Sequence, residues 1–178
     1  MRNKNCLVLL FLLLANFAVA QTPATTKEEG PANTEAEFER QYQERIKKDK
    51  LNGVYIPKNL EEALLELDKR ISADSQAKIK GIPEDSVCLV MHSRLGQWLI
   101  LNWGFYSGSR LSHYIRSAGI TYPDDMADFV ILAYHRKLNE KPIGIRELAT
   151  EFREKRKKAF EEEQKKRKVI YEEVRKKN

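Results

Sequence analysis

Apolar residues recur at helical spacing through the middle of this chain, and that rhythm admits few folds. Leu60, Ala63, Leu64, Leu67 and Ile71 share one face of a helix, with Glu and Lys opposite. Leu111, Tyr114, Ile115 and Ala118 repeat the pattern behind a Ser109 cap. Met126, Phe129, Val130 and Ala133, extended by Ile131, Tyr134 and Leu138, repeat it behind Pro123-Asp124-Asp125. There the proline is preorganised for a first turn and the acids complement the macrodipole. Between these lies an apolar run from Glu84 to Trp103. Val87, Met91, Leu95, Trp98 and Leu99 fit one helical face, and Leu89, Val90, Ile100 and Leu101 cover the others. A helix apolar nearly all round is expected to be buried, with a break placed near Ser93 to Gly96. Few residues of Trp98 to Leu101 are β-branched and no turn pairs the runs, so helix is favoured over strand.

The stops agree with this division. Asn59 is an N-cap for the helix from Leu60, and Gly81, with Pro83 two residues on, ends a short helix from Ala73 to Lys80. Gly119 ends the helix from Ser109, and Asn139 ends the one from Pro123. Leu51 to Lys58, with Gly53 and Pro57, reads as an extended loop. Upstream, Thr34-Glu35-Ala36-Glu37 is a capping-box pattern, and Phe38, Tyr42 and Ile46 make a narrow apolar stripe on a peripheral helix over 34–50. The expectation is an all-α protein. Five or six short helices form a small bundle over 51–152, and a long charged helix follows over 153–178.

The ends carry different messages. Arg2 and Lys4 precede an apolar stretch from Cys6 to Val19, and Ala18-Val19-Ala20 offers a cleavage site before Gln21. That layout reads as a secretory signal peptide over 1–20. The apolar stretch is shorter than the roughly 20 residues of a spanning helix. Residues 21–33, without periodicity or a large apolar side chain, read as a disordered leader. Loss of the signal removes Cys6 and leaves Cys88 alone, so an internal disulfide is excluded and the apolar core must stabilise the fold. Cys88 lies in Val87-Cys88-Leu89-Val90-Met91, where a buried small hydrophobe is expected rather than a reactive thiol.

Charge is concentrated at the C-terminus. Of the net +6, Arg2 and Lys4 carry two and residues 151–178 carry five, which leaves residues 21–150 at −1. A nucleic-acid-binding core would carry its own basic face, so nucleic acid is not the expected partner. In the tail seven Glu–Lys/Arg pairs stand four apart, from Glu151–Lys155 to Glu173–Lys177, all with Glu first. At about 0.2–0.5 kcal/mol each they sum to roughly 1.5–3.5 kcal/mol, enough to hold a solvated helix. Contact with a membrane is expected only through an uncleaved signal or weak electrostatics of this tail.

Few residues suggest chemistry. His92, His113 and His135 are scattered, with no H-E-x-x-H or C-x-x-C spacing, so no metal and no cofactor are expected. Asp128 and His135 share a helix face but stand about 10 Å apart along the axis, too far for a direct hydrogen bond. A hydrolase would have to bring His113 or His135 to Asp124, Asp125 or Asp128 through the fold. Trp103 to Arg110 is a glycine-punctuated loop entering a helix, where free backbone N–H groups at the helix N-terminus beginning with Ser109, helped by Arg110 and Arg116, can hold an anion. The bland alternative has Ser109 as a cap and Arg110 paired with Asp124 or Asp125. Trp98, Trp103, Phe105, Tyr106 and Tyr114 are expected chiefly in the core.

One set of motifs has wider meaning. It comprises Ile56-Pro57-Lys58-Asn59-Leu60-Glu61-Glu62-Ala63 with Leu67-Asp68, then Leu95-Gly96-Gln97-Trp98, Asn102-Trp103-Gly104 and Gly108-Ser109-Arg110-Leu111. Pro123-Asp124-Asp125-Met126 and Tyr134-His135-Arg136 with Leu138 complete it. Through these, Tyr55 to about Asn139 resembles a bacterial domain family of unknown function. The resemblance implies domain limits and a helical fold, and no activity. The function expected is that of an exported, non-enzymatic binding or scaffold module of the cell envelope, in the periplasm or outside the cell. Its partner would be a protein, a peptide or an envelope glycan. The alternatives are a small His/Asp hydrolase and polyanion binding through the C-terminal helix.

Overall fold

The computed structural model describes residue 30 and residues 32–177, with side chains as far as Lys168 and Val169. The signal segment 1–20 and residues 21–29 and 31 of the leader lie outside the described residues. The protein is mainly helical, in the order α1 (Glu35–Arg45), β1 (Lys50–Leu51), β2 (Val54–Tyr55), α2 (Leu60–Arg70), α3 (Ala73–Lys80) and α4 (Val87–Met91). A π-helical turn (His92–Gly96) leads into α5 (Gln97–Asn102), followed by α6 (Arg110–Ser117), α7 (Pro123–Leu138) and α8 (Ile145–Lys177).

The bundle is organised around α7. Its buried side chains run from Met126 to His135 and cover most of its circumference, and α2 through α6 and α8 all pack against it. The apolar faces read from the sequence of α2 and α6 supply its partners: Leu60, Ala63, Leu64 and Leu67 from one, Leu111 and Ile115 from the other. Trp103 and Phe105 are fully buried beside them. Buried area of this kind is worth roughly 25 cal/mol per Å², which makes the large aromatics the strongest single contributors.

Local chemistry sets the helix starts. Asn59 accepts the Glu62 N–H at 2.9 Å, and the Glu62 carboxylate accepts the Lys58 N–H at 2.6 Å, so α2 is capped from both sides. The stretch expected to be a loop contains a hairpin instead: Lys50 pairs with Tyr55 and Leu51 with Val54. Asn52 (φ +49°) and Gly53 (φ +77°) both adopt left-handed backbone, as a two-residue hairpin turn requires.

The apolar run differs from its expectation in a second way. Helix is interrupted where a break was placed, by the π turn, but the segment is not buried all round. Leu89 is 84% exposed, Val90 52% and Leu101 74%. Leu89, Ser93, Gln97 and Leu101 are spaced by four, so they form one outward face, while Val87, Leu99 and Ile100 face the core. Among the described residues no element covers that side.

At the C-terminus, Leu148, Ala149 and Phe152 dock α8 on the core, with Phe152 edge-on to Phe129 at 6.1 Å between ring centres. At 1.5 Å per residue, the 33 residues of α8 extend about 50 Å.

Candidate functional site

The three histidines occupy three separate environments. His92 sits at the start of the π turn, where Gly96 leaves room for its ring: a Cβ there would stand 3.2 Å from His92 Nδ1. Nδ1 lies 2.7 Å from Asp128 Oδ1, and Nε2 lies 3.5 Å from Asp124 Oδ1. Asp124 and Asp128 are four apart on α7 and so present both carboxylates on one face. The hydrogen bond to Asp128 raises the His92 pKa against the opposing effect of burial, and Asp124 adds to the rise. With a carboxylate facing each ring nitrogen, His92 ties the π turn to α7 as a clamp. Cys88, one turn earlier, donates to the Asp128 carbonyl at 3.5 Å. Burial pushes its thiol up to about 12, which keeps it protonated and unreactive.

His113 is exposed, and its Nδ1 is 2.9 Å from the Tyr42 hydroxyl on α1. His135 is buried and its Nε2–H donates to the Ile82 carbonyl at 2.8 Å. Neither meets Asp124, Asp125 or Asp128. Asp124 and Asp128 face His92, and Asp125 grips Arg156 on α8. The pairings that the sequence offered for a hydrolase, His113 or His135 with Asp124, Asp125 or Asp128, are therefore not assembled. His92 carries no local sign of this pairing, because Asp128 lies 36 positions away. Among the described residues no group of three or more His, Cys, Asp or Glu side chains is placed to hold a metal ion.

At the loop entering α6 the polar groups of the cap are met from within the helix. Ser109 is buried and accepts the Ser112 N–H at 3.1 Å, while Ser112 Oγ accepts the Ser109 N–H at 2.8 Å, so the cap is closed on itself. Arg110 turns away from it. Its Nε donates to the Ile56 carbonyl at 2.6 Å, its guanidinium lies 5.1 Å over the Tyr55 ring, and its nearest carboxylate is Glu62 at 3.8 Å. Pairing with Asp124 or Asp125 is thus corrected to Glu62. Arg116 is half-buried, with a buried Nε that has no protein partner. Gly108, just upstream, carries the Tyr42 ring directly over its Cα.

A concavity lies elsewhere, where the turn between α6 and α7 meets α8. It is an open cleft of about 300 Å³. Ile120 and Phe152, both buried, belong to its apolar floor. Tyr122 and Phe160, about half exposed, stand at its rim. Gly119 (φ +87°) makes the turn, and the close approach of Arg153 to it brings the two walls together. Arg156 makes a two-pronged bond to Asp125, 2.7 Å from Nε and 2.6 Å from Nη2, and lies 4.1 Å over the Tyr122 ring. Arg153 donates to Thr150 Oγ1 at 2.8 Å, and Lys157 is exposed. The sequence reading missed this site, because residue 125 meets residue 156 only through the docking of α8. The sole local signal was an aromatic and cationic spacing of four, Phe152-Arg156-Phe160 and Arg153-Lys157.

Residues 56–138 match the family model described as a domain of unknown function (DUF6794). No curated protein and no solved structure matches the chain. The match covers nearly the stretch, Tyr55 to about Asn139, for which the sequence suggested a domain of unknown function, and it names no activity.

Proposed function

We propose that this protein is an exported, non-enzymatic binding module of the cell envelope, and that its ligand seats in the cleft between the α6–α7 turn and α8. The observation that carries the reading is the composition of that cleft: half-exposed aromatics and a buried apolar floor beside cationic side chains. Ligand sites are concave, mostly apolar and furnished with a few placed polar groups. Export rests on the charged, apolar and A-x-A layout of the first twenty residues. The dispersal of the three histidines supports binding over hydrolysis.

The test is site-specific photo-crosslinking in the producing cell. A photoreactive residue at Thr121, on the cleft wall, is compared with one at Lys78, an exposed position on α3. A discrete adduct from position 121, abolished by Lys157→Glu, is expected. No adduct from 121, or the same adducts from both positions, refutes the reading. The five net positive charges of residues 151–178 favour a second reading, polyanion binding through α8. Affinity that falls steeply with salt and ignores Phe160→Ala would select it.

A further inference from the structure

We infer that the cleft takes a peptide C-terminus: a terminal carboxylate held by Arg153 and Lys157, with an apolar last side chain on the floor formed by Ile120 and Phe152. This rests on the binding-module reading and names the ligand class of the same site.

The cations are divided in a way that leaves two for a ligand. Arg156 has its charge met by both oxygens of Asp125. Arg153 and Lys157 stand four apart on α8, one turn above the other. Among the described residues neither pairs with a carboxylate, and the one protein partner of the Arg153 guanidinium is the neutral hydroxyl of Thr150. Two neighbouring cations at the edge of an apolar floor match a single anionic group attached to a hydrocarbon body. A guanidinium fork matches carboxylate oxygens in geometry as well as charge.

Other anions fit less well. A sugar acid brings several hydroxyl donors that need acceptors. The carboxylate in the lining, Asp125, already spends both oxygens on Arg156. Inorganic phosphate suits the cations and leaves the floor of Ile120 and Phe152 uncovered. A nucleobase stack would use the Tyr122 ring, one face of which is covered by Arg156 at 4.1 Å. The volume, about 300 Å³, is at the lower end for ligand sites and fits one or two residues of peptide.

The experiment uses the full chain and four probes: N-acetyl-Ala-Ala-Leu as the free acid, the same peptide as its C-terminal amide, glucuronate and inorganic phosphate. Binding is read from amide shifts of Gly119 to Tyr122. The acid is expected to shift these residues, with the amide at least tenfold weaker. Arg153→Gln with Lys157→Gln is expected to lower acid affinity at least tenfold, with the helical spectrum unchanged and the melting temperature lowered by no more than about 5 °C. Equal binding of acid and amide, or indifference to the double substitution, overturns the carboxylate assignment. Tighter binding of glucuronate or phosphate at the same residues overturns the peptide class while the binding-module reading stands. Silence of all four probes refutes the peptide terminus, and silence together with no crosslink from Thr121 refutes both.

Discussion

Gly119→Ala tests whether α8 closes on the α6–α7 turn. Gly119 has φ +87°, and a Cβ built there would stand 2.6 Å from Arg153 Cδ. Two costs follow. A left-handed backbone costs an L-residue about 1–2 kcal/mol. The clash drives Arg153 off its seat and breaks its bond to Thr150, worth about 0.5–1 kcal/mol for an exposed pair. The sum, about 1.5–3 kcal/mol, lowers the melting temperature by about 5–15 °C for a domain of this size. Circular dichroism melts of the single and paired variants separate the two. In an Arg153→Ala background the same substitution loses only the backbone part, so the double-mutant cycle shows a coupling of about 0.5–1 kcal/mol. Gly81→Ala is the control. Gly81 has ordinary helical backbone and a Cβ there meets nothing closer than 3.6 Å, so that change is neutral or stabilises by up to about 1 kcal/mol. A Gly119→Ala protein that melts with the parent, or a strictly additive cycle, refutes the closure and the cleft with it.

Other outcomes follow from the same geometry. His92 has its pKa raised by Asp128 and Asp124, so its clamp contributes fully below the unfolded value of about 6.5 and is lost as pH rises through the higher folded value. Urea unfolding at pH 6 and at pH 9 checks this: the stability lost on His92→Gln, about 1–2 kcal/mol at the lower pH, shrinks at the higher one. A difference that grows with pH contradicts the clamp. The Cys88 thiol, held up at about 12, reacts with iodoacetamide at pH 8 at least about a hundredfold more slowly in the folded chain than in denaturant; equal rates are the contrary result. Trp103→Ala, at a fully buried position, costs about 3–5 kcal/mol, whereas Leu89→Ser, at a position 84% exposed, changes stability by less than about 0.5 kcal/mol. A large loss from Leu89→Ser in a thermal melt would place that side chain in an interface.

How much could be read beforehand depends on the range of the interaction. The α2, α6 and α7 faces were legible because a helix brings residues three and four apart together whatever surrounds it. The same rule, applied to composition alone, misjudged Leu89, Val90 and Leu101. Their hydrophobicity records a preference for burial, but whether a neighbour covers that side is decided by the whole bundle. The hairpin at Lys50 to Tyr55 had its signal in Asn52-Gly53, yet strands of two residues are too short to show alternation. The long-range pairs were the least legible. His92 with Asp128 and Asp125 with Arg156 are 36 and 31 positions apart and meet only because α4, the π turn and α8 dock on α7.

The domain match ends at residue 138, and that boundary divides the cleft. One wall, Gly119 to Asp125, lies within the matched residues, and the other, Phe152 to Phe160, lies beyond them on α8. Phe152 covers Phe129, and Arg156 neutralises Asp125 and stacks on Tyr122. Without those contacts the first wall would hold an exposed carboxylate and an uncovered apolar face, a surface that repels the anion argued for above. The sign of the charge at the cleft is thus supplied by the helix that follows the domain. The proposed preference for an anion therefore depends on the pairing of domain and helix: with Arg153 and Lys157 replaced by Glu, the amide shifts of Gly119 to Tyr122 induced by the free-acid peptide are expected to vanish, and unchanged shifts would refute this.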